Sequence, residues 1–203
     1  MDMRKGIAIV GLNGAGKSTL AHALAQATGY FEMDVEDYYF PEQRVERRRA
    51  LEGSEVAPNM ASPSFSQSKT KEEVEEAMLE DIHAHPCFIL SGVKMQWNDE
   101  ISSRIQVAFW VRVSRKARLQ RIRERSEKRF GARVLPGGDM YAQEEAFRAM
   151  AAGRDERMVG ESLKKLSCPV IILDGTLPIT KNVKIMIDTI IENPEALVSG
   201  ADR

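Results

Sequence analysis

The ten residues "GLNGAGKSTL", Gly11 to Leu20, limit what this chain can fold into more than any other stretch, because they follow the apolar run "GIAIV" directly. A continuous apolar run of that kind marks a strand buried on both faces. The Ala/Leu-rich stretch from Lys17 to Thr28 reads as a helix, with Gly29 placed to stop it. Between strand and helix, Gly11, Gly16, Lys17 and Ser18 satisfy G-x-x-x-x-G-K-[ST]. Glycines there let backbone N–H groups turn inward around phosphate oxygens, where a side chain would block both the dihedrals and the close approach. Gly11, Asn13, Gly14, Ala15, Gly16, Lys17, Ser18 and Thr19 are therefore expected to cradle the phosphates of ATP. Lys17 would reach the β- and γ-phosphates and Ser18 would ligate Mg²⁺. The competing reading is a flexible glycine turn with an exposed lysine.

The remainder alternates strand and helix. "YFEMD" (Tyr30 to Asp34), "CFILSG" (Cys87 to Gly92), "IQVAFWVRV" (Ile105 to Val113) and "PVIILD" (Pro169 to Asp174) read as strands. Thr70 with Glu73 makes a capping box for a helix to about His85. From Ser114 to Phe130 a helix carries Leu119, Ile122 and Phe130 on one stripe and Arg118, Arg121, Arg125 and Arg129 on its neighbour. Pro136, Gly137 and Gly138 break it, either as a plain break or as the hinge of a lid. Asp139 is placed to cap a run to about Leu166, and Thr180 to cap a last helix ending near Asn193 and Pro194. With no hairpin signal, the pattern predicts an α/β fold with a doubly wound, parallel, five-stranded sheet.

Composition narrows the function. With 203 residues the chain fits a single domain, and 29 Lys+Arg against 30 Asp+Glu leave a net charge of -1. That balance argues against a nucleic acid partner, although the cluster Arg44 to Arg49 would serve as a local strand-binding patch in a nucleic-acid end kinase. No apolar stretch approaches the roughly 18 residues of a membrane helix, so a soluble cytoplasmic protein is expected. Cys87 and Cys168 read as buried thiols, and the 3 histidines do not assemble a metal set.

Three further segments make the sequence resemble the adenylate kinase-like group of small P-loop kinases, which also includes uridine and shikimate kinase-like enzymes. "VSRKARLQRIRERS" resembles the strand and arginine helix that open the family's lid, which implies Arg121 against adenine and Arg125 on the transferred phosphates. "LDGTLPIT" is similar to the turn that holds the adenine edge, with Gly175, Thr176 and Pro178 at the matching positions. "FILSGV" falls where those kinases carry a strand ending in Asp-Gly, and here Ser91 replaces the aspartate. That departure makes Asp34, at the end of the second strand, the candidate for base or for the metal-site acid that orients Mg²⁺ and its waters, with Asp37 behind it; the alternative is a solvated acidic turn. Arg154, with Arg157 beside it, stands roughly where the family places its second lid arginines. Catalytic roles are thus expected of Lys17, Asp34, Arg121, Arg125 and Arg154, on ATP, Mg²⁺ and a nucleoside, nucleotide or sugar-like acceptor. The resemblance implies one domain over 1–203, with an acceptor-side insert at about 40–70 and a lid at about 126–157. Ser91 keeps a second reading open, an ATP-binding switch or interaction module with slow hydrolysis.

Overall fold

A computed structural model describes residues 5–51 and 68–192. Strand β1 (Lys5–Val10) leads through the glycine loop into helix α1 (Lys17–Thr28), and Gly29 caps that helix in the left-handed region at φ 74°. Strand β2 (Phe31–Asp34) turns into a short helix α2 (Val35–Tyr39), followed by α3 (Arg44–Leu51). Helix α4 (Lys71–Ala84) begins on the expected Thr70–Glu73 capping box and delivers β3 (Cys87–Gly92). A helical turn α5 (Asp99–Ser102), capped by the Asn98 side chain, precedes β4 (Ile105–Arg112) and the long α6 (Arg115–Phe130). Helices α7 (Tyr141–Gly153) and α8 (Arg157–Leu163), strand β5 (Val170–Asp174) and helix α9 (Ile179–Glu192) complete the described chain.

The strands form one five-stranded sheet in the order β2-β3-β1-β4-β5, every pairing parallel. Alternate residues of β1 feed separate cores. Ile7 and Ile9 pack with Leu20 and Leu24 of α1 and Met186 of α9, while Ala8 and Val10 pack with Met78 of α4 and Val159 and Leu163 of α8. Both faces of the central strand are therefore dry, which is why its sequence is a run rather than an alternation. The order places the carboxyl ends of β2, β3, β1 and β4 side by side, and ligands bind at that edge of such sheets.

The structure corrects several local expectations. The run from Asp139 to Leu166 is two helices, α7 and α8. Asp139 does not cap; its carboxylate takes a fork from Arg133 (2.7 Å at the shortest), and Met140 holds the N-terminal position of α7. Thr180 lies inside α9, whose first residue follows Pro178 directly. The expected end of that helix at Asn193 and Pro194, and most of the Ser/Pro-rich stretch, lie outside the described residues. On α6 the buried positions are Arg118, Ile122 and Ser126, so an arginine takes a core place while Leu119 is only half-buried. Cys87 and Cys168 are half-buried and not joined in a disulfide, and Cys168 sits in the bend before β5 rather than in a strand.

Gly137 and Gly138 belong to a closed turn. Gly137 has φ 90°, and a side chain on Gly138 would fall 2.2 Å from the Arg133 carbonyl oxygen. Gly138 N–H donates to the Leu135 carbonyl (2.8 Å) and Met140 N–H to that of Arg133 (3.0 Å). The segment 126–157 contains the end of α6, this turn and α7.

Candidate active site

The loop between β1 and α1 has the backbone its glycines foretell. Gly11, Gly14 and Gly16 take φ values of 154°, 80° and 97°. A Cβ on Gly14 would lie 2.4 Å from the Arg118 carbonyl oxygen, and one on Gly11 2.5 Å from that of Val111, so conformation and close approach both demand glycine. Lys17 Nζ donates to the Leu12 carbonyl oxygen at 3.4 Å. Burial lowers the pKa of its ammonium below the ordinary value, against the opposing pull of Glu36 and Asp34, while Arg125 and Arg154 push in the same direction as burial. Lys17 thus stands between acids on the β2 side and arginines on the α6 and α7 side. An anion placed among Lys17, Arg125 and Arg154 relieves the repulsion among those cations.

Asp34 is the acid at the lip of this loop. Its Oδ2 accepts from the Ser18 hydroxyl at 2.6 Å and from the Ser91 hydroxyl at 3.1 Å, and its Oδ1 caps α2 by accepting from Glu36 N–H at 3.0 Å. The parallel register explains the geometry, since Asp34 lies directly opposite Ser91, which in turn lies opposite Ile9 of β1. One strand further from the loop, a longer acidic side chain reaches back past a small hydroxyl. A carboxylate from β2 thus lies against the end of β3. Asp37 lies half-buried beside Tyr38, whose phenol pKa is raised by burial, then by Asp81 and least by Asp37.

On the other flank, Arg121 bridges the glycine loop and the end of β5, its guanidinium donating to the carbonyl oxygens of Gly175 (2.9 Å) and Ala15 (3.4 Å). Gly175 is glycine because a Cβ would sit 2.5 Å from Val113 Cγ2 and 2.9 Å from the Ala15 carbonyl oxygen. Thr176 donates through both N–H (2.8 Å) and hydroxyl (2.6 Å) to Asp174 Oδ1, and these bonds hold the carboxyl below its usual range. The Pro178 carbonyl accepts from Lys181 and Asn182 N–H and starts α9. Asn182, fully buried, ties the turn to that helix by donating to the Asp174 carbonyl at 2.9 Å. Arg154 Nη1 donates to Asn13 Oδ1 at 2.5 Å, whereas Arg157 is exposed and forks onto Asp155. Arg129 lies over the Phe130 ring at 4.9 Å. Beside the loop, Leu12, Arg115, Arg118, Arg154 and Asp174 border an open cleft of about 810 Å³.

Three participants escape sequence reasoning: the Asn13 side chain, Glu36 and Arg118. Arg118, 3% exposed, donates through Nη1 to the Asn13 carbonyl at 3.0 Å, and burial lowers its pKa. Its spacing with Arg121 and Arg125 marks it as part of the arginine row, but only the packing of α6 on Gly14 turns it inward.

The description "AAA domain" belongs to a family whose profile matches residues 7–135, which takes in most of β1, the glycine loop, β2 to β4 and all of α6. The chain belongs to the AAA domain family. Its P-loop makes it a nucleotide-binding domain. An uncharacterized protein of Bacillus subtilis (strain 168), YqaC, is 26% identical over 199 residues, covering 94% of this chain and 100% of its own. Among solved structures, a gluconokinase from Sinorhizobium meliloti 1021 superposes with a TM-score of 0.54 at 15% identity over 100% of both chains. A deoxyadenosine kinase from M. mycoides gives 0.51 at 17% identity, over 92% of this chain and 99% of its own. These likenesses establish that this AAA domain has the fold of small-molecule P-loop kinases, as the sequence resemblance implies. Among the described residues no helix is long and apolar enough to cross a membrane.

Proposed function

We propose that this protein transfers the terminal phosphoryl group of ATP to a small-molecule acceptor of nucleoside, nucleotide or sugar-like type. The observation that carries the reading is the Asp34 carboxylate, held between the Ser18 and Ser91 hydroxyls at the lip of the P-loop. Phosphoryl transfer asks the protein for positioning and charge rather than for a covalent intermediate. The loop amides from Gly11 to Thr19 bind the phosphates, and Lys17 meets the β/γ-oxygens. Arg125 and Arg154, near enough to act on the Lys17 charge, oppose the negative charge that develops on the transferring group. Arg121, Gly175, Thr176 and Pro178 form the wall on which the adenine rests.

Ser18 and Asp34 suit Mg²⁺, a hard cation that takes one or two protein oxygens beside substrate phosphates and water. The hydroxyl spends its proton on Asp34 and keeps its lone pairs. Bound there, Mg²⁺ would neutralise phosphate charge. Asp34 has a second use toward an acceptor hydroxyl, which it can orient and relieve of its proton. The hydrogen bond from Ser91 to Asp34 sets a carboxylate beside the end of β3, which supports the kinase reading over a switch. ATP turnover measured against a panel of polyols, nucleosides and nucleotides tests the proposal. Turnover stimulated by at least one acceptor, and lost in Asp34→Asn, is expected; a basal rate that no acceptor raises contradicts it.

A further inference from the structure

Asn13 occupies a variable position of the P-loop motif, where the fold asks only for backbone. Here the residue is 8% exposed and gripped twice. Its carbonyl oxygen accepts from Arg118 Nη1 at 3.0 Å, and its side-chain Oδ1 accepts from Arg154 Nη1 at 2.5 Å. The two arginines come from different parts of the chain: Arg118 from the first turn of α6, Arg154 from the residue that ends α7. Arg118 cannot shift freely, because its own carbonyl oxygen lies against Gly14, at the 2.4 Å that forbids a Cβ there. Arg118 is thus the fixed side of the grip and Arg154 the side carried by a connecting segment, between Gly153 and the Asp155–Arg157 fork.

Resting on the kinase reading above, we infer that Asn13 is a positioning residue: its side-chain carbonyl docks Arg154 against the P-loop, aiming that guanidinium at the terminal phosphate of a bound triphosphate. The physical need is plain. Arg154 ends a helix with an extended backbone (φ -71°, ψ 131°) and stands on a link with an exposed glycine on one side and an exposed aspartate on the other. An arginine side chain left to itself on such a link samples many rotamers, and ordering it on substrate binding would cost affinity. A neutral amide oxygen is the suitable anchor. It accepts one N–H of the fork and leaves the others for phosphate, without the negative charge by which a carboxylate would saturate the guanidinium and repel the nucleotide. Lys17 Nζ donates to the carbonyl oxygen of Leu12, the residue before Asn13, at 3.4 Å, so the docked guanidinium and the P-loop ammonium both hold to neighbouring residues of one loop.

The test compares MgADP with the magnesium complex of the non-hydrolysable β,γ-imido analogue of ATP, titrated calorimetrically into wild type, Asn13→Ala, Arg154→Gln and the double variant. Docking predicts that each single change weakens the triphosphate analogue about tenfold, a charged hydrogen bond's worth, and leaves MgADP within about twofold. The double variant should be no weaker than either single one. Additive losses, or an Asn13→Ala change that weakens both nucleotides alike, would show that Asn13 only shapes the loop and would overturn the inference. Should Asn13→Ala fold poorly, Asn13→Ser, which keeps a hydrogen-bonding oxygen on a shorter arm, carries the same comparison with Arg154→Gln. Wild type that binds neither nucleotide is a different failure, of the kinase reading itself, and overturns both.

Discussion

At the residue scale the P-loop lysine and the β2 aspartate act on the fold in opposite senses, the buried ammonium opposing it and the capping carboxylate supporting it. Burial lowers the Lys17 pKa below its ordinary 10.5, so the folded protein holds this proton less firmly than the unfolded chain does. Below the folded value the charge opposes folding in full; stability then rises with pH from there toward 10.5. Lys17→Met should accordingly not lower the melting temperature at neutral pH and should flatten the alkaline rise, while weakening triphosphate binding about 100-fold. Thermal melts at several pH values, set beside a nucleotide titration, read both arms. Asp34 combines a charge with an N-cap, and the two roles separate by substitution. Asp34→Asn keeps a good cap and should melt within a few degrees of wild type, yet lose the enhancement of nucleotide binding by Mg²⁺. Asp34→Ala should lose that and about 1 kcal/mol besides. Lys17, Ser18 and the glycines are legible in the sequence because the motif fixes chemistry and spacing within eight positions. Asp34 is legible only as a candidate, since its hydrogen bond to Ser91 spans 57 positions and depends on the strand register. The Asn13 amide and the inward turn of Arg118 depend on tertiary packing, which no periodicity announces.

At the scale of elements, two contacts hold the site's walls. Helix α6 crosses the P-loop so closely that Gly14 touches the Arg118 backbone, and Gly14→Ala must both strain a φ of 80° and push α6 away. A loss of about 2 kcal/mol or more, read by denaturant unfolding, is expected, together with weakened nucleotide binding. Helix α2, which follows Asp34, is tied to α4 by the buried Tyr38, whose hydroxyl donates to Asp81 Oδ2 at 2.5 Å. Burial, then the bond to Asp81, raises that phenol's pKa well above 10.0. The unfolded chain loses the phenolic proton first, so this contribution is intact below pH 10 and falls as pH rises beyond it. Tyr38→Phe should cost about 1–2 kcal/mol at neutral pH and abolish that alkaline fall, measured by melts between pH 8 and about 11. Strands are readable as short apolar runs, and α1, α4 and α6 as longer stretches that begin on a capping residue or end at a glycine. The division of α7 from α8, the short α5 and the true start of α9 were not, since Asp139 and Thr180 have good capping chemistry that Arg133 and Pro178 pre-empt.

At the scale of the molecule, the alternation of strands and helices fixes a parallel sheet, whereas the order β2-β3-β1-β4-β5 comes from how the crossovers pack. That order makes the site, gathering Ser18, Asp34, Ser91, Arg121 and Arg154 from distant parts of the chain. Ligand binding at such a junction should stabilise the whole fold. MgATP at 100 times its dissociation constant is worth about 2.7 kcal/mol, or roughly 5–10 °C in melting temperature for a domain of this size. The most direct test of the account is a calorimetric titration of MgATP into wild type and Lys17→Met side by side. Saturable binding at one site per chain in wild type, reduced about 100-fold in the variant, is the predicted result. Equal binding by the two proteins, or no binding by folded wild type, would contradict it.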